Sequence, residues 1–118
     1  IVQRVQLTSG VIMQTSQQIK EFIATNPATL LYFSAPSCNV CHALKPKLLG
    51  AIAESFTEFQ SVEIDISIDQ EIAASFGVFA IPTLLVFLDG KEFLRKTRHM
   101  SVDEVVREIG RPYEIMFS

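Results

Sequence analysis

Two cysteines three residues apart, Cys38 and Cys41, are the only thiols in this 118-residue chain. An apolar, β-prone run at residues 29–33 precedes them, and apolar residues at helical spacing follow from His42 to about Phe56. Both thiols are therefore expected where a strand ends and a helix begins. The N–H groups and the dipole of a first helical turn stabilise an anion, so this position favours thiolate chemistry.

The two thiols should differ in reactivity. Cys38 lies at the expected helix start, where its sulfur is exposed and its thiolate is favoured. Cys41 lies one turn further along, where its sulfur is more buried and keeps a higher pKa. We therefore predict that Cys38 attacks a substrate disulfide to form a mixed disulfide. Cys41 should then attack Cys38, release the reduced substrate and leave a Cys38–Cys41 disulfide.

The same residues allow other interpretations. His42 completes a literal C-x-x-C-H pattern, the signature of covalent haem attachment, but a haem pocket does not fit a strand leading straight into the cysteine-bearing helix. Zinc would need two more ligands, and His42 and His99 are the only histidines. Two buried structural thiols are a third alternative. We favour the redox interpretation, expect no metal or bound cofactor, and interpret His42 as a neighbour that favours the Cys38 thiolate.

Strands and helices alternate on both sides of the cysteine pair. Apolar runs and period-two alternation predict strands at residues 11–13, 28–34, 61–66, 84–88 and 91–97. Helical spacing predicts helices after Thr15, at 42–56, at 70–76 and from Val102 to Ile109. Gly110-Arg111-Pro112 is expected to end the last helix. Residues 1–9 carry little signal, and Val2, Val5 and Leu7 suit either an edge strand or a loose arm.

Local signals fix several of these boundaries. Thr15 with Gln18, and Ser101 with Glu104, match capping boxes at helix starts. Asp89-Gly90 is a strong hairpin signal, which makes the last two strands antiparallel. The earlier alternation of strand and helix implies parallel strands joined by crossovers.

Composition excludes several classes of protein. The content of 48% hydrophobic and 19% charged residues is that of a globular protein, and the length suits one domain spanning residues 1–118. A net charge of −3 without a Lys/Arg cluster predicts no binding to nucleic acid or to anionic membranes. The apolar runs are shorter than a membrane span, and no secretory signal is visible, so we expect a cytoplasmic protein, although the chain does not begin with Met.

Three features in order resemble the thioredoxin family, and the resemblance covers nearly the whole chain. The first is the strand that ends in C-x-x-C at residues 33–41. The second is Pro46, where the family has a helix-kinking proline. The third is the segment at residues 77–87, which looks like the family's segment around its cis-proline. The resemblance implies a thioredoxin fold, a three-layer α/β/α sandwich with a central mixed sheet.

The resemblance also implies an activity and a substrate-binding surface. The protein would be a monomeric protein-disulfide oxidoreductase, reduced by a thioredoxin-reductase-like donor and active in electron transport and cell redox homeostasis. A cis Ile81–Pro82 bond would present the Ile81 backbone to an extended substrate strand, with Ser37 also on the binding surface. The alternative is an ordinary trans proline that starts a strand. Asn39, Val40 and His42 would modulate the site.

The sequence departs from the family pattern at four places. Asn39-Val40 replaces the usual Gly-Pro, and the N–H of Val40 is expected to add a donor near the Cys38 sulfur and to make the site less reducing. Tyr32 stands where many thioredoxins have a buried acid, and Glu63 stands where a lysine often accompanies it. We interpret Tyr32 as a core residue and Glu63 as part of a solvated strand face, with a location beneath the site as the alternative. Arg98 falls near a family glycine.

A second function is compatible with these departures. A thioredoxin-fold redox sensor or binding module would use the Cys38–Cys41 pair to switch its affinity for one partner, with little turnover. Arg98 and His99 are interpreted as exposed loop charges and not as substrate anchors.

Overall fold

The computed structural model describes residues 5–7, 12–13 and 15–118. In chain order the elements are β1 (Val5–Leu7), β2 (Ile12–Met13), α1 (Ser16–Thr25), β3 (Ala28–Ser34), α2 (Asn39–Ser55), β4 (Gln60–Asp65), α3 (Gln70–Ser75), β5 (Thr83–Leu88), β6 (Lys91–Thr97) and α4 (Val102–Phe117). The predicted bounds of β3 and β6 are confirmed without change. Strand β4 begins and ends one residue earlier than predicted, α3 ends one residue earlier, and β5 begins one residue earlier.

The described strands form one mixed sheet in the order β2-β1-β4-β3-β5-β6. Of these neighbours, β3 and β4 pair in parallel and the others are antiparallel. Val5 and Leu7 are in β1, which pairs on both sides, so the expectation of an edge strand or loose arm is wrong for them. The edge is instead β2, because Ile12–Met13 folds back onto β1. Val2 and Val11 lie outside the described residues.

Helices cover both faces of this sheet. On one face α1 and α3 pack against Leu31, Phe33 and other inward-facing strand residues. On the other face α2 and α4 pack against Leu30, Tyr32 and the other strand residues whose side chains point to that face. Strand β3 therefore points apolar side chains into both cores, which explains why its sequence is apolar without alternation. The predicted three-layer α/β/α sandwich with a mixed sheet is confirmed.

The expectation of parallel strands joined by crossovers is confirmed for β3 and β4, which α2 connects, and is wrong for the step from β4 to β5. Strand β4 ends beside the end of β3, where Asp65 pairs with Ser34, and β5 begins at that same edge, where Thr83 pairs with Phe33. Helix α3 has six residues, about 9 Å of helix, whereas β4 is about 20 Å long. Because α3 is too short to return the chain along β4, β5 runs antiparallel to β3.

The last helix extends beyond its predicted end. Gly110-Arg111-Pro112 does not stop α4, which continues to Phe117. Tyr113 packs with ring centroids 4.7 Å from Phe56 and 4.6 Å from Phe117, and its hydroxyl accepts a hydrogen bond of 3.0 Å from the N–H of Glu58. These contacts stabilise the extra turns and offset the backbone hydrogen bond that Pro112 cannot make.

The predicted local signals are present where the chain is described. Thr15 and Gln18 form a capping box in which each side chain bonds the other residue's backbone N–H. Of the predicted Ser101–Glu104 box only one half is present: Ser101 caps α4 by accepting from the N–H of Glu104, whereas the Glu104 carboxylate pairs with Lys96. Asp89 and Gly90 have φ of 54° and 78°, the left-handed pair that a tight two-residue hairpin requires. Among the helices of the described chain, none has the length and apolar character to cross a membrane.

Candidate active site

The cysteine pair lies where the sequence predicts it, between the end of β3 and the start of α2. The chain leaves β3 at Ser34 and turns so that the N–H of Cys38 donates to the carbonyl of Ala35 at 3.0 Å. Cys38 is then the N-cap residue of α2, in extended backbone geometry. This turn holds the first sulfur at the helix N-terminus, the position that favours a thiolate.

The two sulfurs are joined in a disulfide, with the Cα atoms of Cys38 and Cys41 5.3 Å apart. Cys38 is partly exposed, whereas Cys41 is only 1% exposed. The expected difference in access between the two thiols is therefore present. A reagent approaching from solvent reaches the first sulfur before the second.

The hydrogen-bond donor to Cys38 differs from the expected one. The N–H of Cys41 donates to Cys38 Sγ at 3.1 Å, in the role expected of the N–H of Val40. An N-cap side chain accepts from the third helical residue, and that residue is Cys41. This donor stabilises negative charge on the Cys38 sulfur when the pair is reduced. The N–H of Cys41 is present whether residue 40 is Val or Pro, so the replacement at position 40 does not change this hydrogen bond.

The residues around the pair face solvent. Ser37, Asn39 and His42 are exposed, and Val40 exposes 61% of its surface. The Nε2–H of His42 donates to the carbonyl of Pro36 at 2.9 Å. His42 therefore connects the first turn of α2 to the preceding turn.

Tyr32 lies directly beneath the second cysteine. Its hydroxyl donates a hydrogen bond of 2.8 Å to the carbonyl oxygen of Cys41, and the side chain is 1% exposed. Burial, together with the nearby carboxylate of Glu63, raises the pKa of Tyr32 to about 12. The interpretation of Tyr32 as a core residue captures its burial and misses this contact. Its position six residues before Cys38, on the strand that leads to the pair, is the signal that could have found it.

An ion pair flanks Tyr32. Glu63 is the β4 residue paired with Tyr32 across the parallel ladder, and its carboxylate lies 2.7 Å from the ammonium of Lys45 on α2. Both side chains are partly exposed, so the pair contributes little to stability by itself. Glu63 therefore lies partly exposed between β4 and α2. The sequence pattern favours a freely solvated position for this side chain, and the ion pair with Lys45 differs from that.

Pro82 lies at the same edge of the sheet as the cysteine pair. The Ile81–Pro82 peptide bond is cis, as predicted, and Pro82 is buried while Ile81 is partly exposed. Thr83, the next residue, pairs with Phe33 near the end of β3. The N–H of Arg98 donates to the carbonyl of Pro82 at 2.6 Å, which links the proline loop to the loop before α4.

That second loop forms a shallow pocket with the cysteine motif. The pocket has a volume of about 440 Å³, and the residues that line it are Val40, Leu44, Lys96, Arg98, His99, Met100, Ser101 and Glu104. Arg98 and His99 are exposed, as expected, but they also lie beside a residue that separates the two cysteines. Arg98 has a φ of 65°, a conformation that suits glycine better than arginine.

The arrangement supports thiol–disulfide exchange. It contains an accessible sulfur at a helix start, a buried partner sulfur within bonding distance and a backbone loop at the same sheet edge. Across the described residues no group of three or more His, Cys, Asp or Glu side chains is arranged to hold a metal ion.

Comparison with known proteins gives a consistent result. The family profile described as Thioredoxin matches residues 10–110. The thioredoxin-like protein YdfQ of Bacillus subtilis is 34% identical over 97 residues, which cover 82% of this chain and 86% of that protein. The structure of a point-mutant thioredoxin from Halobacterium salinarum superposes with a TM-score of 0.72 at 25% identity, over 86% of this chain and 87% of the other.

A longer relative is matched over only part of its length. Protein disulfide-isomerase of Drosophila melanogaster is 33% identical over 89 residues, which cover 73% of this chain and 18% of the isomerase. The chain therefore spans about a fifth of that relative.

Proposed function

Because this chain belongs to the thioredoxin family of thiol–disulfide oxidoreductases, we propose that it reduces disulfides in other proteins through a cycle carried by Cys38 and Cys41. The observation that carries this proposal is the disulfide between a partly exposed Cys38 at a helix N-terminus and a buried Cys41. The difference in access supports Cys38 as the residue that attacks substrate and Cys41 as the residue that makes the second attack.

The exchange with substrate balances with the two cysteines alone, and a separate electron donor must then reduce the Cys38–Cys41 disulfide. The Cys38 thiolate attacks one sulfur of the substrate disulfide, forms a mixed disulfide and expels the other substrate sulfur as a thiolate, which takes up a proton. Cys41, after losing its proton, attacks Cys38 Sγ and releases the second substrate thiol. Two electrons pass from the protein to the substrate, and the Cys38–Cys41 pair becomes the disulfide.

The surface around the pair would hold the substrate. We assign substrate binding to Ile81, Pro82 and Ser37, because the partly exposed Ile81 comes just before β5, which begins beside the end of β3, and Ser37 is exposed next to Cys38. An extended substrate segment could hydrogen-bond to the Ile81 backbone as an added strand does. Asn39, Val40 and His42 would modulate the exchange, since they surround the first turn of α2.

The remaining assignments complete the proposal. A disulfide reductase of the thioredoxin-reductase type would supply the electrons, and the protein would act as a monomer in a reducing compartment such as the cytoplasm. Residues 1–118 would form one thioredoxin-like domain. Support for this comes from the single sheet that contains all the described strands, from β1 to β6.

Two variants test the proposal. Cys41→Ser should accumulate mixed disulfides between Cys38 and its substrates, whereas Cys38→Ser should accumulate none. The pre-reduced wild-type protein should also reduce the disulfides of a model protein such as insulin. A complete lack of both trapping and reduction would overturn the proposal. Efficient reduction with several trapped proteins supports a general reductase, whereas one trapped protein with negligible turnover would favour the redox-sensor alternative.

A further inference from the structure

The pocket beside Val40 has a mixed surface that suits one kind of side chain. Its floor is apolar, because Leu44 and Met100 pack partly buried against the core under α2 and α4. Its rim of exposed residues includes Arg98, His99, Ser101 and Glu104, and the Glu104 carboxylate pairs with Lys96. An apolar floor beside an arginine without a carboxylate partner accepts a side chain with a hydrocarbon stem and an anionic end.

The charges around the pocket distinguish Arg98 from its neighbours. The ammonium of Lys96 lies 3.0 Å from Glu104 and 3.0 Å from Glu108, so its single positive charge is already more than balanced by two carboxylates. Within residues 15–118, Arg98 and His99 have no acidic partner. Arg98 is therefore the permanently charged group on this rim that is able to pair with an incoming carboxylate.

The backbone holds Arg98 in a fixed place relative to the reacting groups. Its N–H donates to the carbonyl of Pro82 at 2.6 Å, and the pocket that it lines is shared with Val40, between the two cysteines. A substrate segment whose disulfide contacts Cys38 must pass close to this rim. The net charge of −3 repels acidic partners only weakly at this pocket. Under physiological conditions salt screens charges more than about 8 Å apart, so distant carboxylates have little effect here.

We propose that this pocket is a specificity subsite for an acidic side chain, best a glutamate, that flanks the reactive cysteine of a protein substrate, with Arg98 as the pairing cation. The inference rests on the proposed reductase function and adds a substrate class to it. The glutamate stem lies over Leu44 and Met100, and its carboxylate pairs with the Arg98 guanidinium. Arg98 acts on substrate selection and takes no part in the exchange of sulfurs.

The test uses pre-reduced protein in single turnover with peptide disulfides that differ at one residue next to the cysteine. That residue is Glu, Gln or Lys, and each rate is divided by the rate with dithiothreitol, because a neighbouring charge alters the reactivity of the peptide sulfur itself. The wild type should react about two- to fivefold faster with the Glu peptide than with the Gln peptide, the range expected for one exposed ion pair. The preference should shrink in about 1 M salt.

Matched variants assign the preference to Arg98. Arg98→Gln should lose it, Arg98→Glu should favour the Lys peptide, and Arg98→Lys should retain part of it. Lys91→Gln removes the same charge at the other end of β6, about 20 Å away, and should keep the wild-type preference. A structural role for Arg98 would slow all three peptides equally.

Each outcome decides between the two proposals. Equal normalised rates for Glu and Gln peptides, or a Glu preference that survives in Arg98→Gln, would overturn the subsite while leaving the reductase function intact. Glutathione disulfide is tested as a further substrate. If Arg98 raises the rate of its reduction but not that of the Glu peptide, the subsite would also be overturned, since the pocket would then bind a small anionic molecule. Failure to reduce the neutral Gln peptide would count against the reductase function, and the subsite would fail with it.

Discussion

The hydroxyl of Tyr32 donates a 2.8 Å hydrogen bond to the carbonyl oxygen of Cys41, nine residues further along the chain. A buried phenol on β3 therefore connects the first turn of α2 to the sheet through a hydrogen bond. The contact is neutral, and the pKa of Tyr32 near 12 keeps the proton on the hydroxyl at all physiological pH values. The reactive segment is thus held to the core by a bond that does not change with pH where the protein works.

Tyr32→Phe should lower the free energy of unfolding by about 1 kcal/mol at neutral pH, because the Cys41 carbonyl loses a buried donor. The difference should change at alkaline pH. The unfolded phenol ionises near 10 and the folded one near 12, so between these values the unfolded state binds fewer protons and the wild type loses stability as pH rises. The wild type should lose about 2–3 kcal/mol more than the variant by pH 12.

Urea unfolding followed by far-ultraviolet circular dichroism at several pH values measures both effects, and this probe suits a chain without tryptophan. Other titrating groups are shared by the two proteins and cancel in the comparison. If the free energies of unfolding of the wild type and Tyr32→Phe change in parallel from pH 9 to pH 12, Tyr32 ionises as easily in the folded protein as in the unfolded one. The prediction would then be wrong.

Glu63→Gln should lower the pKa of Tyr32 from its value of about 12. The carboxylate of Glu63 disfavours a second negative charge at Tyr32, so its removal eases ionisation of the phenol. Burial is the larger cause and remains, so the pKa should stay above 10.0. Phenolate absorbance, recorded in a Tyr113→Phe background, reports Tyr32 alone, since the chain has two tyrosines. Glu54→Gln, an exposed change on α2, is the control and should leave the titration unchanged.

Pro112→Ala should raise the free energy of unfolding by about 1–2 kcal/mol. Position 112 lies inside α4, where alanine restores an N–H donor and removes a clash with the preceding turn, while the unfolded chain gains freedom and offsets part of the benefit. Thermal unfolding of the two proteins measures the change. Ala53→Pro, at an exposed position near the end of α2, provides the opposite substitution and should destabilise the protein. A loss of stability in Pro112→Ala would mean that the proline is required for the packing of Tyr113.

Arg98→Gly should be more stable than Arg98→Ala by about 1 kcal/mol. Both variants remove the side chain, but the φ of 65° at this position is costly for any residue with a Cβ. In ordinary helix or strand positions glycine is instead the less stable of the two by a similar amount. The sign of the difference in chemical denaturation therefore reports the backbone conformation directly. Alanine equal to or better than glycine would show that residue 98 adopts an ordinary conformation in solution.

Several features follow directly from the sequence because they depend on neighbours along the chain. The apolar run of β3, the Thr15–Gln18 capping box and the Asp89-Gly90 turn are local rules, and each appears where it is predicted. The C-x-x-C motif at a strand–helix junction belongs to the same class, since two thiols three residues apart need only one helical turn to meet.

Other features require the packed molecule. The antiparallel direction of β5, the interior place of β1 and the extension of α4 to Phe117 depend on what each element packs against. Likewise, Tyr32 contacts Cys41, Lys45 pairs with Glu63, and Arg98 bonds to Pro82. The sequence by itself determined the reactive pair and the local frame that presents it. The tertiary structure decided what lies under the pair and beside it, because those partners are distant along the chain and meet only when the layers close.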